Sequence, residues 1–173
     1  DGFQLSNIGF LEAVDKVRGK KGTEVHLKIR RNGFEFEVDV VRDRISLPEV
    51  VITWQGDIAI VEITQFGRIT LERLGSQLAE VQAKDPKGLI LDLRNHPGGL
   101  LTAAISVVGH FLPKGSPVVT IKSRNSERTD RTLLDPVIDT SLPMVLLVND
   151  GSASASEIVA GALQDAKRAT DVG

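Results

Sequence analysis

The first forty positions carry two different periods of apolar and polar residues. The apolar residues between positions 10 and 17 follow helical spacing, and Asn7 is the expected N-cap of that helix. Two stretches that alternate apolar and polar residues then flank the pair Asn32-Gly33. Asn-Gly is the strongest short-range hairpin signal, because both turn positions need a positive φ. The pattern predicts a helix and a β-hairpin over residues 1–42, a unit of about 40 residues that is too small to be stable alone.

From residue 58 onward, short apolar runs alternate with segments in which apolar residues recur at helical spacing. The predicted strands are 58–64, 89–93, 118–121 and 144–148, and the predicted helices are 70–84, 100–112 and 154–167. Thr70 is the expected cap of the first of these helices. Residues 43–57 are predicted to be an extended linker, and the polar stretch 123–136 a surface loop. The alternation of strands and helices predicts a layered α/β domain with a largely parallel sheet.

The composition is that of an ordinary globular protein and narrows the possible functions. Apolar residues make up 41% and charged residues 25% of the 173 positions. A net charge of −2 offers no basic surface for phosphates, so nucleic acid is not an expected partner. No apolar run approaches the roughly 18 residues of a membrane span. Because cysteine is absent and the three histidines have no paired spacing, a metal site is not expected. No cofactor is predicted.

The first junction with chemical potential is the segment DLRNHPGG at residues 92–99, between a predicted strand and a predicted helix. Glycines at such a point let backbone N–H groups approach an anion closely, and the helix dipole assists them. The alternative is a tight turn that only needs residues able to adopt a positive φ. The segment by itself leaves both interpretations open.

The second junction is the run GSASASE at residues 151–157, after the strand 144–148. Ser154 and Glu157 have the spacing of a capping box, which many inert helices also have, and the elbow pattern G-x-S-x-G is not matched. Taken together, the two junctions favour chemistry. A serine hydroxyl at the carboxyl end of a strand, the N–H of Ala155, and an N–H from Gly98 or Gly99 form the minimum set for acyl transfer.

These two motifs resemble those of the carboxyl-terminal processing, or tail-specific, serine proteases, and the resemblance covers most of residues 58–173. It implies a ClpP/crotonase-like α/β core in which Ser154 is the nucleophile. It also implies that the backbone N–H groups of Ala155 and of the Gly98-Gly99 turn form the oxyanion hole. Residues 1–42 are similar to the second half of the family's PDZ module. The implied partners are protein substrates with exposed C-terminal tails, and the implied location is extracytoplasmic, in a bacterial periplasm or cell envelope. Substrate-binding residues are not identified.

The resemblance also implies a base that this chain does not supply. The family uses a lysine in a Phe-Gly-Lys-Gly turn, oriented by a nearby glutamine, and neither is present here. Lys167 follows Ser154 by 13 residues along one predicted helix, which places it roughly 20 Å away. The chain opens without Met and stops shortly after that helix, so we expect both ends to be cuts through a longer protein. The core 58–173 is therefore expected to be truncated and inactive alone.

Two other interpretations remain open. His96 could act as the base of a Ser154–His96 hydrolase, although a loop histidine beside Pro97 is expected to be a solvated surface residue. His110, within an apolar helical stretch, is expected to be partly buried. Alternatively, the protein could be a non-catalytic binding or scaffold protein that keeps the serine run as a helix cap. Asp171, at the start of an expected strand, has no explanation in the sequence.

Overall fold

The computed structural model describes residues 4–44 and 48–173. The chain divides into two compact units, residues 1–46 and residues 47–173. Neither described stretch contains a helix that is both long and apolar enough to cross a membrane.

The described part of the first unit contains the predicted helix and hairpin. A 3-10 turn at Leu5–Asn7 precedes the helix α1 at Phe10–Val17. The antiparallel strands β1 at Glu24–Arg31 and β2 at Phe34–Val41 follow. The two turn residues between these strands have φ values of 51° and 83°, as an Asn-Gly hairpin requires. The predicted cap is wrong, because Gly9 rather than Asn7 occupies the N-cap position.

Arg42 ties the helix of the first unit to its hairpin. Its guanidinium donates to the carbonyl oxygens of Val17 at 2.8 Å and Glu24 at 2.9 Å, and to the hydroxyl of Thr23 at 2.9 Å. A Cβ at Gly19 would lie 2.7 Å from Arg42 Nε, so only glycine leaves room for this arrangement. The helix and the hairpin of the first unit are thus joined by one long polar side chain.

The second unit is built on a five-stranded sheet with the strand order β3-β4-β5-β8-β9. Its strands are β3 at Val50–Gln55, β4 at Ile58–Ile63, β5 at Gly88–Asp92, β8 at Met144–Leu147 and β9 at Thr170–Val172. All neighbouring pairs are parallel except β3 with β4. The helices are α2 at Arg68–Gln82, α3 at Leu101–Gly109 and α4 at Ala155–Asp165. The predicted α/β architecture with a largely parallel sheet is confirmed.

The predicted linker is wrong over residues 50–55, which form the edge strand β3. Ile52 and Trp54 alternate with Thr53 and Gln55, and the two-residue turn Gly56-Asp57 joins β3 to β4, with Gly56 at a φ of 59°. This is a hairpin signal of the Gly-Asp type. Pro48 and Gly56 lie just outside the strand, so neither interrupts its hydrogen bonding.

The predicted surface loop at 123–136 is also wrong in part. Strand β6 at Pro117–Lys122 pairs antiparallel with β7 at Glu127–Arg131. Most residues of this two-stranded ribbon are exposed or half-buried. Strand β7 is polar and has no buried residue, so it lacks the alternation of apolar residues from which strands are predicted.

The cap of α2 comes from outside the helix. The helix begins at Arg68, so Thr70 lies within its first turn rather than at its cap. The carboxylate of Glu49 accepts hydrogen bonds from the N–H of Thr70 at 2.6 Å and from its hydroxyl at 2.9 Å. Glu49 is buried and stands 21 positions before Thr70, directly before β3. The beginning of β3 and that of α2 are therefore joined at one carboxylate.

Candidate active site

The two glycine- and serine-rich junctions lie side by side in the second unit. One follows β5 and the other follows β8, and these strands are parallel neighbours in the centre of the sheet. The carboxyl ends of parallel strands share one edge of a sheet, which is where open α/β folds bind ligands. The sheet therefore brings together two segments that are more than 50 positions apart in the sequence.

A pair of asparagines joins the two junctions. Asn149 Oδ1 accepts hydrogen bonds from the N–H of Asn95 at 2.8 Å and of Gly151 at 3.1 Å. Asn149 Nδ2 donates to Asn95 Oδ1 at 2.9 Å. Asn95 has a φ of 58°, and a Cβ at Gly151 would lie 2.8 Å from Asn95 Cα. This Asn95–Asn149 pair was not among the residues predicted from the sequence. Its signal is the preference of asparagine for binding backbone N–H groups two residues ahead and for adopting positive φ.

The three serines of the second junction have different partners. Ser152 Oγ donates to the carbonyl of Leu93 at 2.8 Å and accepts from the N–H of Asn149 at 3.0 Å. Ser156 is fully buried, and its hydroxyl donates to the carbonyl of His96 at 3.1 Å. Ser154, between them, is exposed. Two serines therefore bind the neighbouring junction, and the third presents its side chain to solvent.

Ser154 has a strained backbone. Its φ of 54° and ψ of −112° lie outside the regions that side-chain-bearing residues normally adopt. Such a conformation costs about 1–3 kcal/mol and is concentrated at functional sites. Hydrolase nucleophiles are held in similarly strained positions at the beginning of a helix. Ser154 shares this strain and this position, although the pattern G-x-S-x-G is absent and a loop separates Ser154 from β8.

The predicted capping box supports this strained residue. Ser154 is the N-cap of α4, and the Glu157 carboxylate accepts a hydrogen bond from the N–H of Ser154 at 2.6 Å. An acceptor of negative charge in the first turn also interacts favourably with the helix dipole. Glu157 therefore binds the backbone of the residue whose side chain is exposed.

The glycine turn of the first junction lies against Ser154. Gly98 has a φ of 105°, and a Cβ there would lie 2.6 Å from Ser154 Cβ. Gly99 has a φ of 157°, and a Cβ there would lie 2.5 Å from the carbonyl oxygen of Phe66. Both positions require glycine, for the backbone conformation and for space. The turn thus adjoins Ser154, as the sequence analysis expected.

The backbone donors near Ser154 are not equivalent. The N–H of Gly98 donates to His96 Nδ1 at 2.8 Å. By contrast, within residues 4–44 and 48–173 the N–H groups of Gly99 and Ala155 have no hydrogen-bond acceptor. Of the two glycines considered from the sequence, only Gly99 therefore has an N–H available for a ligand.

His96 is buried, so the expectation of a solvated surface residue is wrong. It is 2% exposed, and its ring meets the edge of Phe66 with 4.7 Å between ring centroids. Its carbonyl accepts hydrogen bonds from the N–H of Ala153 and from the hydroxyl of Ser156, which hold the segment under the beginning of α4. Burial lowers the pKa of the imidazole. A polar loop gives no sequence signal of this kind of burial.

The other chemical groups of the unit lie elsewhere or are paired. His110 is buried, as expected in part, and follows α3 as its C-cap. Asp92 binds Arg94 through both carboxylate oxygens, and these hydrogen bonds lower the pKa of Asp92. In the described part of the chain, no lysine is hydrogen-bonded to Ser154, and no group of acidic or histidine side chains could hold a metal ion. Asp171 lies on β9, where burial raises the pKa of its carboxyl group. The described contacts do not explain why an aspartate stands at this position.

The sequence model of peptidase family S41 matches residues 57–173. The chain belongs to peptidase family S41. The resemblance stated from the two motifs is thereby confirmed, and the mixed α/β fold of the second unit is that of S41 proteases.

Several relatives of this S41 chain have names that describe C-terminal processing. A carboxy-terminal-processing protease of Bartonella bacilliformis is 43% identical over all of this chain and 41% of its own length. A carboxyl-terminal-processing protease of Synechocystis is 36% identical over all of this chain and 42% of its own length. Among solved structures, a photosystem II D1 C-terminal processing protease superposes with a TM-score of 0.76 at 26% identity, covering 99% of this chain and 48% of that protein. The chain thus spans about two fifths of the length of these curated relatives.

Proposed function

We propose that the parent protein, meaning the natural protein that contains this S41 chain, is a serine endopeptidase that cleaves protein substrates near their C-termini. The observation that carries the proposal is the exposed, strained Ser154 beside the glycine turn, together with the N–H groups of Ala155 and Gly99, which have no partner in the described part of the chain. A nucleophile with two such donors is suited to acyl transfer.

In this mechanism the hydroxyl of Ser154 attacks the carbonyl carbon of the scissile peptide bond. Its proton passes to a lysine base that the 173 residues do not supply, and the N–H groups of Ala155 and Gly99 bind the oxyanion. The base then protonates the leaving amine, and the C–N bond breaks to leave an acyl-enzyme on Ser154. Water, deprotonated by the same base, hydrolyses that ester and restores the hydroxyl. No cofactor or metal takes part.

The family assignment supports three further parts of the proposal. Residues 58–173 form the nucleophile-bearing part of a ClpP/crotonase-like core, with β3 as an added edge strand. Residues 1–42 are the second half of a PDZ module, with the helix and hairpin such a half would have. The partners are proteins with exposed C-terminal tails. The enzyme acts on them outside the cytoplasm, in a bacterial periplasm or cell envelope. The substrate class is drawn from the resemblance and from the names of the relatives, and the core, the PDZ half and the location are drawn from the resemblance alone.

Two alternatives are disfavoured by particular contacts. In a Ser154–His96 hydrolase, the acceptor nitrogen of His96 would face the serine hydroxyl, whereas Nδ1 accepts from the N–H of Gly98. In a scaffold protein, Ser154 would only cap α4. A cap alone does not require a φ of 54°, since N-cap residues normally have extended backbones.

The decisive experiment is covalent labelling with a fluorophosphonate, together with cleavage of fluorescently labelled casein by the parent protein. We expect one label on Ser154, found by peptide mass spectrometry, and loss of label and cleavage in Ser154→Ala. Ser141→Ala is the matched control, because Ser141 is an exposed serine on the loop before β8. An unlabelled Ser154 in the wild-type parent protein overturns the proposed function. Loss of both cleavage and labelling in a folded His96→Asn protein would instead support the histidine base.

The isolated 173-residue chain should behave differently from the parent protein. A serine hydroxyl is a poor nucleophile without a group to take its proton, and general-base assistance is worth about 10²–10⁴-fold. Labelling of the isolated chain should therefore be slower than that of the parent protein by about this factor. Equal rates would show that the base lies within these residues.

A further inference from the structure

His96 is connected to both junctions of the site. Its imidazole Nδ1 accepts the hydrogen bond from the N–H of Gly98, at 2.8 Å. Its carbonyl oxygen accepts from the N–H of Ala153 at 3.0 Å and from the hydroxyl of Ser156 at 3.1 Å. The residue therefore holds the glycine turn with its side chain, and the segment on either side of Ser154 with its backbone.

We propose that His96 is a positioning residue of the oxyanion hole: by binding the N–H of Gly98 it fixes the Pro97–Gly98 peptide, so that the next peptide of the turn presents the N–H of Gly99 to the substrate carbonyl. This inference rests on the proposed function, because it assigns a role within the same oxyanion hole.

The hydrogen bonds of the turn leave one backbone N–H without a partner in the described part of the chain. Pro97 has no N–H, and that of Gly98 is bound by His96. On the other side of the turn, the N–H of Leu100 donates to the carbonyl of Phe66 at 2.8 Å. Gly99 is thus the one residue from 97 to 100 whose N–H has no partner in the described part of the chain. The turn is fixed on both sides of that single free donor.

Two adjacent glycines need such fixing. Glycine populates positive and negative φ about equally, so a Gly-Gly turn without contacts would let the peptide plane between them rotate. Rotation of that plane would turn the N–H of Gly99 away from the reacting carbonyl. A donor contributes to catalysis only if it is already aimed at the position the oxyanion will occupy.

The protonation state of His96 follows from the same contact. Because Nδ1 accepts a hydrogen bond, the neutral ring carries its proton on Nε2. Nε2 is buried and has no acceptor in the described part of the chain. An apolar side chain would avoid leaving this donor unpaired, so the acceptor at Nδ1 is the property that distinguishes histidine at this position.

Three variants of the parent protein test the inference. His96→Leu removes the acceptor and keeps an apolar side chain in the buried site. His96→Asn restores an acceptor, since an asparagine oxygen readily binds the N–H two residues ahead. His110→Leu is the matched control, because His110 is also buried and neither of its ring nitrogens has a partner in the described chain.

The measured quantities are the fluorophosphonate labelling rate of Ser154 and the kcat and KM for casein cleavage. We expect His96→Leu to lower kcat and the labelling rate by about 10- to 100-fold with little change in KM, because an oxyanion contact forms only in the transition state. His96→Asn should recover to within about threefold of the wild type, as should His110→Leu. Labelling of His96→Leu at the wild-type rate overturns the inference but not the proposed function. An unlabelled wild-type protein overturns both.

Nuclear magnetic resonance on the 173-residue chain gives a readout that does not depend on activity. The ¹⁵N shifts of His96 should be those of the neutral tautomer with its proton on Nε2. The amide of Gly98 should be protected from hydrogen exchange, and that of Gly99 should not. An unprotected Gly98 amide in the wild-type chain overturns the inference, even if His96→Leu does not fold.

Discussion

The two strand-to-helix junctions differ in how their helices begin and in what they present to a substrate. Helix α4 begins at a capped residue, with the Glu157 carboxylate on the N–H of Ser154. Helix α3 begins at Leu101, its N-cap residue Leu100 provides no side-chain cap, and the N–H of Leu100 donates to the carbonyl of Phe66 instead. The serine junction presents a side chain, and the glycine junction presents a backbone N–H. Taken alone, the glycine junction could be only a tight turn, and the serine junction only a helix cap. Their contact with one another is what makes them a candidate active site.

The largest effect should follow when the space between the junctions is filled. In Gly98→Ala the new methyl group would overlap Ser154 Cβ, at a φ that alanine rarely adopts. We expect a labelling rate of the parent protein at least about 100-fold lower, comparable to loss of one oxyanion donor. The unfolding free energy should fall by about 1–3 kcal/mol.

Gly161→Ala is the control for that substitution. Gly161 lies inside α4, and a Cβ there meets nothing within 4 Å. Alanine should raise the stability of the chain by up to about 1 kcal/mol through helix propensity, without a change in labelling. If Gly98→Ala labels like Gly161→Ala, the two junctions do not form a common site.

The next effect concerns the polar contacts that join the junctions. Asn149→Ala removes three hydrogen bonds, whereas Asn95→Gly removes only the one from Asn149 Nδ2 and tolerates the φ of 58°. Urea denaturation should show a lower unfolding free energy, by about 1–3 kcal/mol for Asn149→Ala and about 0.5–1 kcal/mol for Asn95→Gly. Exposure of Asn149 to water keeps the first loss below the sum of three full hydrogen bonds. In the double variant the losses should not add, since the two residues share a bond. Strict additivity would mean that the pair does not couple the junctions.

The smallest effect is a pH dependence that originates at the glycine junction and at the end of α3. Burial lowers the pKa of His96 and of His110. Between their folded-state pKa values and about 6.5, the unfolded chain therefore binds more protons than the native chain. The unfolding free energy should then fall as the pH drops below about 6.5, by at most about 1.4 kcal/mol per pH unit for each histidine.

Single substitutions distinguish the contributions of His96 and His110 to this pH dependence. Urea denaturation of the chain between pH 7.5 and pH 5.5 should show a shallower slope in His110→Leu and in His96→Asn than in the wild type. His26 acts in the opposite direction, because the hydrogen bond and charge of Asp39 raise its pKa, so its contribution is lost as the pH rises through that value. An unchanged slope in both variants would mean that the buried rings are not the source of the pH dependence.

Much of the fold was predictable because its signals are local. The hairpin rests on the adjacent pair Asn32-Gly33, and the stripe on α2 rests on residues three or four positions apart. The capping box needs only Ser154 and Glu157. What was missed has no apolar pattern of its own. Glu49 caps a helix 21 positions away, and the polar strand β7 is recognisable only by its pairing with the neighbouring strand β6.

The sequence alone determined which residues carry the chemistry: a serine at the beginning of a helix, a Gly-Gly turn after a buried strand, and motifs of family S41 spaced some 50 positions apart. Tertiary structure decided how those residues are used. Parallel pairing of β5 and β8 places the junctions side by side. The hydroxyls of Ser152 and Ser156 bind backbone carbonyls of the neighbouring junction, whereas Ser154 is exposed. The same packing buries His96 and assigns the N–H of Gly98 to its ring. A hydrogen bond across the fold has no local pattern, because its partners are neighbours only after the sheet has formed.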